Sequence, residues 1–212
     1  GDDQITNQGS IVADASATFW GGSLSLSLPL VELPFPSPFP AFALVDAGAE
    51  ASAQATGIQG GEGDELIRNE GELDIDASAS LLNVTASIGF QGSVDDIAVA
   101  ATRVDAMVEA EAAASGIEGG EGDDQILNSG AITVDAVAET LTVAANVAVQ
   151  NKAEPKYLID LQATLADVRS TSAADASGIL GGTGQDVVTS TGDLTVAAQS
   201  SNAGVGLSAE VI

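Results

Sequence analysis

Three copies of one stretch recur along the chain: GIQGGEGDELIRNEG from Gly57, GIEGGEGDDQILNSG from Gly116 and GILGGTGQDVVTSTG from Gly178. The chain opens inside a fourth, GDDQITNQG at Gly1. The pairs Gly60-Gly61, Gly119-Gly120 and Gly181-Gly182 set spacings of 59 and 62 residues. Such a period overrides any domain count drawn from the 212-residue length. The flanks keep step: Asn7, Asn69 and Asn128 align, then Gly9, Gly71, Gly130 and Gly192, then Asp14, Asp76 and Asp135. We read one repetitive domain over 1–212, with repeats at about 1–59, 60–118 and 119–180 and a truncated one at 181–212.

Within a repeat the apolar residues alternate with polar ones, the period of a strand and not of a helix. Leu73, Ile75, Ala77, Ala79 and Leu81 share one face. The apolar set then continues one residue out of step as Leu82, Val84, Ala86, Ile88 and Phe90. The next repeat shifts likewise, from Ala138 to Leu141, Val143, Ala145, Val147 and Val149, which predicts a shared bulge. The returning strand carries Val45, Ala47, Ala49, Ala51, Ala53 and Ala55, matched by Val104 through Ala114. Two long strands per repeat follow, each roughly 60 Å if straight at about 3.3 Å per residue.

The expected fold class is all-β. A flattened β-solenoid is favoured because it buries both alanine-rich faces against each other without a helix; an antiparallel meander of long hairpins is the alternative. In a solenoid Asp14, Asp76 and Asp135 form one outward ladder and Asp46, Asp105 and Asp167 another. Like charges about 4.8 Å apart in water repel by roughly 0.9 kcal/mol per pair, which a bound cation would relieve.

Thirty-one acidic residues oppose five basic ones, a net charge of −26, which argues against nucleic-acid or anionic-membrane partners and for a metal ion or polycation; no run of about 18 apolar residues suggests membrane insertion. There is no cysteine and no histidine, so disulfides, thiolate sites and the commonest general base are excluded. Carboxylate pairs such as Asp95-Asp96, Glu109-Glu111 and Asp123-Asp124 lack a nucleophile or clustered cation beside them, and no enzyme activity is expected. The Pro-rich stretch at 28–42, with Phe35, Phe39 and Phe42, and the stretches QGSVD and QNKAEPKY are the variable tips opposite the glycine turn. The first could cap the apolar core or dock a partner.

The turns themselves fit the nonapeptide G-G-x-G-x-D-x-U-x, where U is a large aliphatic residue: GGEGDDQIL at 119–127 and GGTGQDVVT at 181–189, with GGEGDELIR at 60–68 placing Glu65 at the aspartate position. Successive glycines permit positive φ and bare carbonyls, and the acid adds a hard oxygen, the ligand type calcium prefers. These turns resemble the RTX family of hemolysin-type calcium-binding repeats, found in large secreted bacterial proteins. The resemblance covers nine residues per period, and the family's tandem arrangement is absent. It implies Ca2+ ligands at Gly1 and Asp3; Gly60, Gly61, Gly63, Asp64 and Glu65; Gly119, Gly120, Gly122, Asp123 and Asp124; and Gly181, Gly182, Gly184 and Asp186. A purely conformational turn, with acids capping free amides, is the competing reading.

The functional expectation is a structural segment of an extracellular fibre, adhesin or surface-layer-like protein that associates with its own copies or neighbouring repeats. The alternative is a calcium-binding export and folding appendage of a secreted enzyme whose catalytic domain lies elsewhere.

Overall fold

Each coil leaves the glycine turn as a short strand, bends once, runs out as a long strand and returns as another. The computed structural model describes residues 1–27, 41–92, 97–151 and 159–211, and among these every regular element is a strand. The first coil holds β1 (Gln4–Asn7), β2 (Ser10–Ser27) and β3 (Ala41–Glu62). The second holds β4 (Leu66–Asn69), β5 (Glu72–Gly92) and β6 (Ile97–Glu121). The third holds β7 (Gln125–Asn128), β8 (Ile132–Asn151) and β9 (Ile159–Thr183), and the last β10 (Val187–Ser190) and β11 (Leu194–Val211).

Among the described residues all pairings are parallel and join one coil to the next, giving three sheets in the orders β1-β4-β7-β10, β2-β5-β8-β11 and β3-β6-β9. The antiparallel meander is thereby excluded and the solenoid stands. Asp76 pairs with Asp14 and Asp135, and Asp105 with Asp46 and Asp167, as the sequence register requires.

The core fills the half of each coil nearest the glycine turn. Ile58 of the first coil stacks on Ile117 of the second, and Ile67, Leu73 and Ile75 of the second stack on Ile126, Ile132 and Val134 of the third. Each such side chain contributes about 1.5–3 kcal/mol on burial. Farther out, alanines from both long sheets meet, Ala77 and Ala79 sharing a cluster with Ala110 and Ala112.

Two expectations need correction. A third, short sheet stands where two strands per repeat were predicted, because N-x-G at 69–71 and 128–130 makes a second bend. Asn69 Nδ2 donates to the Gly71 carbonyl at 3.2 Å and Asn128 Nδ2 to that of Gly130 at 3.1 Å, closing it.

The predicted bulge is the second. β5 pairs with β8 residue for residue from Leu73 to Gly92, so the inward phase continues through Leu81, Asn83, Thr85 and Ser87, and Leu82, Val84 and Ile88 face out. Part of this polar interior bonds across the sheets, whereas the Asn83 amide nitrogen and the Thr85 and Ser87 hydroxyls meet no partner among the described residues. Asn146 Nδ2 donates to the backbone carbonyls of Thr102 at 2.8 Å and Leu165 at 3.0 Å, and the Thr140 and Ser170 hydroxyls pair.

Most of the Pro-rich stretch lies outside the described residues, as does the centre of each of the other two tips.

Candidate functional site: the stacked glycine-acid turns

Local backbone needs place the glycines. Gly61, Gly120 and Gly182 have φ of 120°, 118° and 107°, and Gly63, Gly122 and Gly184 follow at 125°, 131° and 137°. That region is disfavoured for any residue with a Cβ. The preceding Gly119 is required for space instead, since a Cβ there would overlap Asp124 Oδ2 and the Gly181 carbonyl. The acid thus folds back beneath the first glycine of its own turn, and the next coil presses from above.

Stacking brings the sequence-selected residues into columns. Gly61, Gly120 and Gly182 pair across coils, Gly63 lies against Gly1 and Gly122 against Gly63. On the first coil Asp3 accepts the Leu66 amide through its carbonyl at 2.9 Å. Asp3 itself is exposed and Asp186 half-buried, whereas Glu65 and Asp124 are only 2% and 1% exposed.

The acids form two ladders of opposite sense. On the outer side, Asp2 Oδ1 accepts the Asp64 amide at 3.3 Å, Asp64 Oδ1 that of Asp123 at 2.9 Å, and Asp123 Oδ1 that of Gln185 at 2.9 Å. On the inner side, Asp124 Oδ1 accepts the Glu65 amide at 2.8 Å, and Asp186 Oδ1 the Asp124 amide at 3.0 Å. Capping of free amides is therefore one job these residues perform. Asp123 and Asp124, adjacent in sequence, serve opposite ladders, one exposed and one buried.

The inner ladder keeps surplus oxygens. Both carboxyl oxygens of Glu65 and Oδ2 of Asp124 are buried and, among the described residues, meet no hydrogen-bond donor. Burial pushes the Glu65 carboxyl above its ordinary value, and the neighbouring Asp124 carboxyl raises it further, since two carboxylates have no donor between them until one takes a proton. The Gly1 ammonium offsets this only in part. Buried carboxylates stay charged only beside positive charge. The three described arginines are elsewhere: Arg68 bonds Glu70 at 2.5 Å, Arg103 bonds Asp105 at 2.8 Å, and Arg169 lies 3.4 Å from Asp167.

A calcium ion at this step would find oxygen ligands only, which suits it. Glu65 and Asp124 would supply the carboxylates, and glycine carbonyls would have to complete the shell. Among the described residues no three acidic side chains cluster tightly enough to hold an ion by themselves.

Sequence reasoning missed the asparagine column beside the turn. Asn7 Nδ2 donates to Asn69 Oδ1 at 2.8 Å, Asn69 Nδ2 to Asn128 Oδ1 at 2.8 Å, and Asn128 Nδ2 to Ser190 Oγ at 3.0 Å. The signal was present in the aligned N-x-G triplets. The arginine pairs were also legible, since residues two apart on a strand share a face.

Compared with protein-family models, curated proteins and solved structures, the chain matches none.

Proposed function

We propose that this chain is a segment of an extracellular β-solenoid shaft, of a fibre or adhesin, whose glycine-acid turns are latched by calcium. The supporting observation is the Glu65-Asp124 step: two buried carboxyls, one coil apart, with surplus oxygens and no arginine beside them. One ion there neutralises both acids, and because the acids come from successive coils it ties the coils together. Extracellular calcium, at roughly millimolar levels, suffices for a weak oxygen site, and binding to the folded turn alone raises stability by linkage.

Association with neighbouring repeats or with copies of itself is part of the same reading, since parallel coils of this kind bury their apolar faces by stacking. Flow dialysis of the chelator-stripped chain against calcium tests the latch, with saturable binding expected that Glu65→Gln and Asp124→Asn weaken. Binding indifferent to both substitutions would remove these residues from the site.

A further inference from the structure

The outer face of the outgoing sheet divides into two unlike halves. Near the turn it carries Asp14, Asp74, Asp76, Asp135 and Glu139. The other half starts at Trp20 on β2, Leu82 on β5, Leu141 on β8 and Ala203 on β11. From there as far as Leu26, Phe90, Val149 and Ala209, the phase that faces solvent holds no charged side chain and, apart from the Trp20 indole, no hydrogen-bonding one. On the two inner strands Val84 is 47% and Leu141 44% exposed, with Leu82, Ile88, Val143 and Val147 half-buried beside them. Among the described side chains, the outer face of the returning sheet carries Arg103, Asp105, Glu109 and Glu111.

We infer that this apolar half-face is a docking surface for a second copy of the same chain, packed sheet to sheet. The reading deepens the self-association proposed above and does not depend on calcium. Area supports it: four strands about 4.8 Å apart and nine residues at about 3.3 Å each give roughly 570 Å² per copy before side-chain relief. Two copies then bury somewhat more than about 1,100 Å², at the lower edge of stable interfaces, and every added coil enlarges the field. Periodicity supports it as well, since a copy presents apolar rows at the same strand spacing. Charge selects the arrangement. A two-fold that overlaps the apolar halves sends the acidic halves to opposite ends, whereas a partner of any anionic kind, including an anionic lipid surface, would meet Asp76 and Asp135 alongside.

Trp20, the sole tryptophan, borders the field and reports on it. The test is sedimentation velocity of the 212-residue chain from about 1 to 100 µM in chelator at pH 7, the range in which an interface of this size dissociates, with Trp20 emission recorded in parallel. A dimer whose formation shifts the emission to the blue is expected. Val143→Lys, in mid-field, should leave a monomer. Val84→Thr with Val143→Thr, which keeps shape and strand preference, should weaken the dimer at least tenfold. Asp76→Asn, on the acidic half, should not weaken it. A wild-type chain that stays monomeric with constant emission overturns the inference, as does a dimer indifferent to Val143→Lys, which would point to end-to-end stacking. A monomer that instead binds neutral phosphatidylcholine vesicles would overturn it in favour of lipid. Because calcium is absent throughout, failure of the latch and failure of this surface are separately visible.

Discussion

The Glu65 amide donates to Asp124 Oδ1 at 2.8 Å, so the backbone of one coil is held by the side chain of the next while the remaining oxygens of both carboxyls stay buried without a donor. This contact makes the turn both a splice between coils and a store of unfavourable charge. Anything that neutralises the charge without breaking the splice stabilises the stack.

Protons are the simplest such agent. Glu65 and Asp76 both have folded-state pKa values above their ordinary 4.5 and 3.8, chiefly from burial, with Asp124 adding to the first and Asp74, Asp135 and Asp14 to the second. For such groups the folded state binds the proton more tightly, so stability is greatest below the ordinary value and declines as pH rises from there through the raised one. Glu70 works oppositely, because Arg68 and Gln8 hold its carboxyl below 4.5, and its contribution fades as pH falls through that lowered value. In chelator the urea midpoint should therefore rise as pH falls from 7 through the raised Glu65 value toward the ordinary 4.5. A midpoint that falls over this interval contradicts the buried-carboxyl account.

Glu65→Gln removes the charge and keeps the shape. In chelator at pH 7 it should raise the thermal midpoint and flatten the rise toward acid pH, while weakening the response to calcium. A lower midpoint in chelator would mean that Glu65 has a strong positive partner.

Asn69 sits fully buried in its column, donating to Asn128 and Gly71 and accepting from Asn7. Asn69→Ala leaves buried partners unmatched and should cost about 1–3 kcal/mol, read from urea unfolding. Arg103→Ala removes only an exposed pair with Asp105 and should cost under about 1 kcal/mol. Equal effects would mean that the column is not a structural element.

Glycine positions divide as sharply. Gly120 combines a φ of 118° with a Cβ path blocked by the Gly61 carbonyl, so Gly120→Ala should lower stability by more than about 1 kcal/mol. Gly48, exposed in β3 with only the Met107 carbonyl oxygen near its Cβ position, at an ordinary contact distance of 4.0 Å, should tolerate alanine or gain from it. Thermal melts of the two variants decide between a strained corner and a generic flexible loop.

How much of this was legible in the sequence depends on which force set each feature. The solenoid was legible because Asp76 and Asp135, or Val45 and Val104, recur in one register, and a parallel stack pairs equivalent residues. The glycine corner was legible because positive φ demands glycine. The phase beyond Leu81 was not. Hydrophobicity assigns Leu82 and Val84 to the inside, but the unbroken β5–β8 register carries Asn83, Thr85 and Ser87 inward and leaves the apolar phase outside, with Asn146 bonded across the sheets. The burial of Glu65 was not legible, since the motif assigns it the aspartate position without fixing how the next coil covers its carboxyl.

Thermal unfolding at pH 7, in millimolar calcium and again in excess chelator, tests the latch most directly. A midpoint several degrees higher with calcium, not reproduced by magnesium and diminished in Glu65→Gln, is the predicted result. An identical midpoint in both conditions would contradict it and leave the glycine-acid turn as a backbone corner alone.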